Sequence, residues 1–393
     1  MLRIPIQERP GWREQANEFG FKFHTMYGQA YWDESAYYQF SLSQIEDGIE
    51  DPTAELHQMC LQVVDRVVND EELLHRFCIP ELFWDAIRAS WLEGEPSLYS
   101  RLDFAFDGIQ PAKLYENNAD TPTSLYESGF WQWLWLEDNV NRGRLHRNCD
   151  QFNSLQEKLV RRFSEIFQYY CSGREYPPYF YFSCVKDTDE DRGTVQYLED
   201  CAVESGIPTQ FIHIEDVGVD AGGAFTDLDD QVIELMFKLY PWEFMLREEY
   251  APAITQSGAK FVEPLWKSVL SNKALLPQLW SMFPGHPNLL PSYFEDQLHR
   301  ATESKLVRKP IFSREGANVA MLSEGKLDQG TPGPYGEEGF IYQAYYPLPR
   351  FGHNFTLVGS WLVDDVPAGI SVREDQQWVT QDLSRYLPHV ILG

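Results

Sequence analysis

A strand–helix–strand pattern in the middle of the chain constrains the fold most strongly. The apolar run 179–182 predicts a buried strand, residues 194–203 have helical spacing, and residues 210–214 predict a second strand. This order is typical of an α/β domain. The acidic segment 187–191 is expected in the loop at the end of the first strand, where open α/β sheets bind ligands.

The regions on either side of this pattern differ in character. Helical spacing of apolar residues predicts helices before and just after position 150, whereas short apolar runs after position 256 predict a β-rich final third. We predict helices at 56–68, 84–91, 154–170 and 272–283, the last interrupted by Pro277, and strands at 260–262, 305–309, 318–322, 340–346, 355–363 and 368–373. Asp364 and Asp365 are expected at the tip of a hairpin. The fold class is therefore mixed α/β.

Charge and composition exclude several kinds of protein. The chain of 393 residues has 60 acidic and 32 basic residues, a formal net charge of −28 that repels phosphate backbones and attracts metal ions and amines. It has no apolar run of roughly 18 residues that could cross a membrane and no apolar signal region at its start. None of its six cysteines forms a C-x-x-C pair. We expect a cytoplasmic protein that binds neither nucleic acid nor membrane.

Polar residues cluster on one face of a predicted hairpin between residues 100 and 124. Strand alternation places Arg101 and Asp103 on the face opposite Leu102, Phe104 and Phe106. On the returning strand, the same alternation puts Leu114, Glu116 and Asn118 on a common face. A symmetric loop would place Asp103 opposite Glu116.

This cluster admits two interpretations. Two carboxylates and an amide suit Mg²⁺, which shares its remaining coordination positions with substrate phosphates, and a neighbouring arginine could stabilise charge in phosphoryl or acyl transfer. The alternative is an acidic, solvated outer face of an ordinary hairpin. Several common motifs are absent, namely the P-loop, the dinucleotide fingerprint, H-E-x-x-H and the G-x-S-x-G elbow.

Blocks of sequence along most of the chain resemble one enzyme family. The chain contains the patterns R-x-D at 101–103 and E-x-N-A-D at 116–120, and further matching blocks at 263–266, 272–274, 279–284, 309–316, 341–343 and 369–375. In these blocks the chain resembles the synthetase part of glutathionylspermidine synthase and its relatives, including trypanothione synthetase, which are ATP-grasp ligases. The preceding amidase domain of the bifunctional enzyme is not matched, so product hydrolysis is not expected.

The resemblance implies an architecture and a reaction. It implies an ATP-grasp fold with an N-terminal helical region carrying the metal-binding hairpin (1–150), a pre-ATP-grasp-like α/β lobe (151–255) and a β-rich nucleotide-binding lobe (256–393). In the family reaction, ATP phosphorylates a substrate carboxylate, and an amine attacks the resulting acyl phosphate to give an amide, ADP and phosphate. The implied cofactors are ATP and Mg²⁺, with two ions expected.

Individual roles also follow from the resemblance. Asp103, Glu116 and Asn118 would hold Mg²⁺, while Arg101 would stabilise the transition state and Arg373 would approach the phosphates. The implied ATP-binding residues are Lys273, Lys309, Glu315, Gly316, Gln343, Ala344, Tyr345 and Tyr346. Each also has a structural alternative: a solvated lysine for Lys273, a turn glycine for Gly316, and a glutamine that satisfies backbone groups for Gln343.

The substrate positions depart from the family pattern. The resemblance implies substrate contacts for Thr121, Ser124, Glu190 and Asp191, of which the acidic pair suits a polyamine or an α-amino group. Ser124 stands where the family has a cysteine, and Leu239 stands where it has a threonine that contacts substrate. A solvated acidic loop remains the alternative for the pair Glu190–Asp191.

Three hypotheses for function follow. The first is an enzyme, a carboxylate–amine ligase that joins a peptide-like acid to a polyamine or another amine. The second is a catalytically silent ATP-binding scaffold or regulator, suggested by the altered substrate positions. The third, a polyamine-binding protein without nucleotide chemistry, depends only on the acidic charge.

Overall fold

The computed structural model describes residues 1–380 and 384–392. Its α-helices are α1 (Trp12–Glu18), α2 (Leu42–Ile45), α3 (Asp51–Val68), α4 (Glu71–Arg76), α5 (Trp84–Leu92), α6 (Gln132–Asn141), α7 (Leu155–Cys171), α8 (Asp189–Glu204), α9 (Trp242–Met245), α10 (Ala253–Gln256), α11 (Lys267–Leu270) and α12 (Leu275–Met282). Turns of π-helix at Glu46–Glu50 and Glu127–Trp131 directly precede α3 and α6. No helix in the described ranges is long and apolar enough to cross a membrane.

The strands are short and are distributed along the whole chain. They are β1 (Leu2–Pro5), β2 (Thr25–Met26), β3 (Gln29–Ala30), β4 (Ala36–Ser41), β5 (Tyr99–Ala105), β6 (Lys113–Asn118), β7 (Cys149–Asp150), β8 (Phe180–Cys184), β9 (Thr209–His213), β10 (Gly218–Val219), β11 (Phe225–Thr226), β12 (Leu235–Leu239), β13 (Lys260–Val262), β14 (Ser292–Phe294), β15 (Lys305–Pro310), β16 (Ala320–Ser323), β17 (Lys326–Gly330), β18 (Phe340–Ala344), β19 (Arg350–Phe351), β20 (Asn354–Val363), β21 (Val366–Asp375), β22 (Arg385–Leu387) and β23 (His389–Leu392).

A parallel sheet in the order β13-β12-β8-β9 contains the predicted strand–helix–strand unit, with α8 joining β8 to β9. The local pattern did not predict β12, a central strand whose apolar run is interrupted by the fully buried Lys238. The helix also begins earlier than predicted. Glu190 and Asp191 lie in the first turn of α8 rather than in a loop, a position that suits acidic side chains because the helix N-terminus carries partial positive charge.

The largest sheet combines both ends of the chain. Its order is β22-β21-β20-β5-β6, with β19 paired to β20. The predicted hairpin β5–β6 comes from the first third of the chain, and β19–β22 come from the last third. The turn between β20 and β21 contains Asp364 and Asp365, as predicted, and both have the positive φ angles of a tight hairpin turn.

Two further sheets complete the frame. An antiparallel sheet has the order β14-β18-β15-β16-β17, and the sheet β1-β4-β23-β7 again joins the two ends of the chain. The parallel sheet takes β13 from beyond residue 255. Sheets therefore extend across both boundaries of the predicted division into 1–150, 151–255 and 256–393. The division itself stays a prediction.

The helix predicted at 272–283 is shorter in the structure. It begins at Leu275, since Asn272 Oδ1 accepts a hydrogen bond from the backbone N–H of Ala274 and forms a turn ahead of the helix. Pro277 does not interrupt α12 but lies in its first turn, where a backbone N–H has no partner within the helix. Lys273 is therefore held in a turn, not on a helix surface.

Candidate active site

A cleft of about 690 Å³ lies where the two larger antiparallel sheets meet the carboxyl end of the parallel sheet. Residues assigned to a site from the sequence all line it: Arg101, Asp103, Glu116, Asn118, Thr121, Ser124, Glu190, Asp191, Lys273, Lys309, Glu315, Gly316, Gln343, Ala344, Tyr345, Tyr346 and Arg373. These residues come from distant parts of the chain, so the fold brings the predicted metal, nucleotide and substrate positions together. Their individual roles stay predictions.

The hairpin β5–β6 forms the floor of the cleft. Asp103 pairs with Glu116, as predicted, but a bulge next to this pair leaves Tyr115 unpaired and places Phe104 opposite Leu114. A bulge moves the following side chain to the other face of a strand. Leu114 consequently packs in the apolar core, and the prediction that it shares a face with Glu116 and Asn118 is wrong.

Arg101 and Asp103 form a buried ion pair at this floor. The Arg101 Nε and Nη2 atoms donate to the two Asp103 carboxylate oxygens at 2.6 and 3.1 Å, and Arg101 also stacks over the ring of Trp361. Gly359 on β20 makes this position possible, because a Cβ atom there would lie 2.7 Å from Arg101 Cδ. The guanidinium is thus held by Asp103 and Trp361 before any ligand binds.

Among the three predicted metal ligands, Asn118 lies within hydrogen-bonding distance of both carboxylates. Asn118 Nδ2 lies 3.0 Å from an Asp103 oxygen and 3.5 Å from a Glu116 oxygen. The described residues contain no group of three His, Cys, Asp or Glu side chains suited to a metal ion. The predicted ligand set is of another kind, because it combines the carboxylates of Asp103 and Glu116 with the amide of Asn118. Oxygen donors of this kind, shared with substrate phosphates, fit Mg²⁺.

Two lysines lie beside these carboxylates. Lys273 Nζ is 3.2 Å from Glu116 Oε2, and Lys309 Nζ donates to Gln343 Oε1 at 2.8 Å. Burial alone would raise the pKa of Glu116, but the charges of Lys273 and Lys309 outweigh it and lower this pKa to about 2. Burial lowers the pKa of Lys309 to about 8, against the opposing effect of Glu116. The site therefore contains an ionised carboxylate near a lysine whose pKa is below that of an ordinary lysine.

Gln343 connects the lysines to the hairpin. Its Nε2 donates to the Leu114 carbonyl at 3.2 Å while its Oε1 accepts from Lys309, so it does satisfy a backbone group, as the structural alternative proposed. It also positions the Lys309 ammonium group. Tyr345 and Tyr346 follow β18 and line the adjacent wall of the cleft.

The segment 313–316 extends over the cleft. Lys273 Nζ donates to the Ser313 carbonyl at 2.7 Å, and Arg314 Nη2 donates to Thr121 Oγ1 at 2.8 Å. Gly316 has a φ of 68°, and a Cβ atom there would lie 2.8 Å from the Thr380 carbonyl oxygen. The segment thus joins the predicted nucleotide residues to the predicted acid-binding residue Thr121.

Ser124 lies at the start of the helical segment that leads into α6. It has a φ of 77°, unusual for a residue other than glycine, and its Oγ is 2.5 Å from the Tyr386 hydroxyl. The Tyr31 hydroxyl lies between Glu127 Oε1, at 2.6 Å, and Glu190 Oε1, at 3.1 Å. A network of buried hydroxyls and carboxylates therefore surrounds the predicted acid and amine positions.

Asp120 lines the cleft but is occupied by structural partners. Its carboxylate accepts from Lys238 Nζ at 2.8 Å and from the Trp242 backbone N–H at 2.7 Å, and both charged residues are fully buried. Burial lowers the pKa of Lys238, against the effect of Asp120. This pair fixes the end of the hairpin against β12 and α9.

Sequence reasoning missed several residues near the cleft. Tyr31 and Glu127 contribute to the buried network, Arg314 contacts Thr121, and Glu243 and the segment 22–27 line the wall. Arg314 lies inside a quoted matching block and could have been singled out. Nothing in the local pattern around Tyr31 or Glu127 indicates a position near the cleft, because long-range packing brings them there.

Comparisons with known proteins place the chain in a family. Residues 3–392 match the family model described as glutathionylspermidine synthase preATP-grasp. A Haemophilus influenzae protein that carries an acid–amine ligase name is 40% identical over 97% of both chains. The bifunctional glutathionylspermidine synthetase/amidase of Escherichia coli is 27% identical over 92% of this chain, and the trypanothione synthetase of Crithidia fasciculata is 26% identical over 83%.

These last two relatives are longer proteins, and the matched regions span 60% and 52% of their lengths. Among solved structures, a glutathione synthetase-like effector from Globodera pallida in its apo form matches with a TM-score of 0.56, covering 99% of both chains at 12% identity, which supports the fold alone. The predicted mixed α/β, ATP-grasp class is confirmed, and the chain is an enzyme of the ligase type. It belongs to the glutathionylspermidine synthase family.

Proposed function

We propose that the chain is an ATP- and Mg²⁺-dependent carboxylate–amine ligase that forms an amide through an acyl phosphate. The observation that carries this proposal is the distribution of charge in one cleft. Lys273, Lys309 and Arg373 line one part, acidic side chains at 187–191 line another, and the hairpin with Asp103 and Glu116 forms the floor. A cleft with this distribution accommodates a polyanion and a cation together.

The floor of the cleft is proposed to hold the nucleotide phosphates. Asp103, Glu116 and Asn118 are the residues that would hold Mg²⁺, which when bound neutralises charge on the transferring phosphoryl group. Lys273 and Lys309 would contact ATP phosphates or the purine. Arg101, fixed by Asp103 and Trp361, would stabilise negative charge that develops in the transition state, with Arg373 near the phosphates.

The acid substrate is proposed to bind near Thr121 and Ser124. The Thr121 hydroxyl is held by Arg314, a residue that could also contact a carboxylate directly. A peptide-like acid has both a carboxylate and backbone groups that these side chains could recognise. The family relatives have names that refer to glutathione-containing products, which makes glutathione-like peptides the first acids to test.

The amine is proposed to bind at the acidic part of the cleft. Glu190 and Asp191 lie in the first turn of α8, and Glu243 lines the cleft on α9. Carboxylates in a partly enclosed cleft attract polyamines or other amino compounds. We propose small molecules as partners and the cytoplasm as the location, in agreement with the net charge of −28.

A coupled assay of ADP release tests the ligase. We expect ATP turnover to require both an acid and an amine, and we expect mass spectrometry to detect the amide. If no acid–amine pair stimulates turnover while Mg-ATP binds normally by calorimetry, the catalytically silent scaffold replaces the ligase. That alternative is favoured by one observation, the substitution of substrate positions such as Ser124 and Leu239.

A further inference from the structure

The network behind the acidic part of the cleft contains a buried carboxyl group that the proposed function does not use. Glu127 lies in the π-helical turn ahead of α6, is 1% exposed and does not line the cleft. Its Oε1 atom accepts from Tyr31 at 2.6 Å, whereas its Oε2 atom is buried and has no hydrogen-bond partner within the described residues. A buried carboxyl oxygen without a partner is uncommon in proteins.

Tyr31 connects this buried group to the cleft. Its hydroxyl oxygen is 2.6 Å from Glu127 and 3.1 Å from Glu190, and Glu190 lines the cleft wall. A phenol has a single O–H and can donate to only one of the two carboxylates at a time. Both contacts are hydrogen bonds together only when one carboxyl group is protonated. The three oxygen atoms therefore accommodate one additional proton without any movement of heavy atoms.

The charged and titratable groups around Glu127 make it the natural holder of this proton. Burial raises its pKa to about 7, although Tyr31, Arg373 and Arg101 act to lower it. Tyr126 is the neighbouring residue, and the Tyr386 ring packs against that of Tyr31 with 5.1 Å between the ring centroids. Burial, together with Glu127 and Glu190, raises the pKa of the Tyr31 phenol well above its usual value, so Tyr31 transfers a proton only by exchanging one.

We propose that Glu127, Tyr31 and Glu190 form a proton relay that accepts the proton lost by the amine substrate when the amide forms. The inference rests on the proposed ligase function and extends it to residues that do not line the cleft. Glu190 would contact the amine. Tyr31 and Glu127 are positioning residues, because they act through Glu190.

The balance of the amine step requires such an acceptor. An ammonium group loses two protons when it becomes an amide N–H: the new C–N bond forms, the C–O bond to phosphate breaks, and the departing phosphate takes one proton. The other proton, which the ammonium nitrogen must lose before it can attack, passes to Glu190, from Glu190 to the Tyr31 oxygen, and the original Tyr31 proton passes to Glu127. After the product leaves, the proton returns to solvent along the same path.

Comparing an ordinary amine with hydroxylamine tests the relay. Hydroxylamine is uncharged at neutral pH, so it attacks an acyl phosphate with no need to lose the first proton to a base. In Glu127→Gln we expect amine-dependent ligation at neutral pH to fall on the order of 10²-fold, whereas ATP-dependent hydroxamate formation with the same acid stays within about twofold of the wild-type rate. The loss should diminish as the pH rises, because more of the amine is then already uncharged.

Matched variants separate the relay from a structural role. Tyr31→Phe keeps the ring and removes the linking hydroxyl, so it should show the same selective loss even if Glu127→Gln does not fold. Two control variants should leave both reactions unchanged. Glu199→Gln alters a half-buried glutamate of α8 outside the cleft, and Tyr197→Phe alters another buried tyrosine.

Two results would overturn the relay. One is an equal loss of amide and hydroxamate formation in Tyr31→Phe, which would assign the network to structure. The other is a wild-type pH profile that Glu127→Gln leaves unaltered. Failure of the ligase proposal looks different, because the wild-type enzyme would then form no hydroxamate with any acid.

Discussion

Two buried ion pairs at the hairpin β5–β6 each join an aspartate to a basic side chain, arginine in one and lysine in the other, and they have different surroundings. Arg101–Asp103 lies at the floor of the cleft, where Asn118 and Glu116 approach the same carboxylate region. In the pair Asp120–Lys238, the ammonium group donates to one Asp120 oxygen and the Trp242 backbone N–H donates to the other. Both carboxylates line the cleft, but Asp103 stands beside a second carboxylate and an amide, a donor set that suits a cation, whereas Asp120 neutralises a fully buried ammonium group.

The largest effect is expected at the structural pair. Asp120→Ala leaves the Lys238 ammonium group buried without its partner, so we expect the free energy of unfolding to fall by about 3–5 kcal/mol. Urea unfolding measures it. The double variant Asp120→Ala/Lys238→Met removes the stranded charge and should recover part of the loss. Wild-type stability in Asp120→Ala would show that the two pairs do not differ in this way.

At the cleft the main loss is expected in activity. Glu116→Gln retains the shape of the side chain and removes a proposed metal ligand, so we expect ligation to fall about 10²–10³-fold, and the lost ion pair with Lys273 should also lower the free energy of unfolding. Initial rates at several Mg²⁺ concentrations measure this effect. Glu95→Gln, which alters a carboxylate–lysine pair outside the cleft, is the matched control and should retain activity.

A third variant tests whether the position of the Arg101 guanidinium matters for catalysis. Gly359→Ala adds a methyl group into the space of Arg101 Cδ and Ser371 Oγ. We expect a stability loss of about 1–3 kcal/mol and reduced kcat with little change in ATP affinity. Gly218→Ala, in the small hairpin β10–β11, is the control. Unchanged kcat in Gly359→Ala would separate the position of Arg101 from catalysis.

The smallest effect concerns pH. Burial lowers the pKa of Lys309 from 10.5 to about 8. Between these two pH values the lysine is more often protonated in the unfolded chain than in the folded one. The free energy of unfolding should therefore rise as the pH increases from about 8 to 10.5. ATP phosphates favour the protonated lysine. We therefore expect the affinity for ATP at about pH 9 to be up to about tenfold lower than its value at neutral pH, because at one unit above its pKa about a tenth of Lys309 is protonated.

Proton uptake provides the measurement for Lys309. Calorimetric titration with ATP at pH 8–9 in two buffers of different ionisation enthalpy should reveal proton binding to the complex. Lys309→Met should abolish this uptake. Equal apparent enthalpies in both buffers for the wild-type protein would contradict the role of Lys309.

Local patterns predicted the elements whose residues respond to their own neighbours. The hairpin register Asp103–Glu116 follows from period-2 alternation with a turn of suitable length, and α7 follows from its amphipathic spacing. The face of Leu114 was predicted wrongly because a bulge is a property of the strand pair. Strand β12 was missed because Lys238 looks incompatible with a buried strand until Asp120 is placed beside it.

For the site, the resemblance supplied the residues, and the structure supplied their neighbours. Motif blocks at 101–103, 116–120 and 309–316 indicated which side chains to consider, and the structure brings them to one cleft. Tyr31, Glu127 and Gly359 could not be found this way, since each acts on a residue far away in sequence. Their importance depends on distances that no local pattern encodes.

Residue types and local spacing were enough to predict an acidic chain, a hairpin with carboxylates on one face, and motif blocks that resemble an ATP-grasp ligase family. These properties depend on residue type and on spacing within a few positions, which period-2 and helical geometry convert directly into a face. Tertiary packing sets the contacts of Asp120 with Lys238 and Trp242, the position of Asp103 in the cleft, and the link from Glu127 to Glu190 through Tyr31. Burial and hydrogen bonding between distant segments are set by packing of the whole chain.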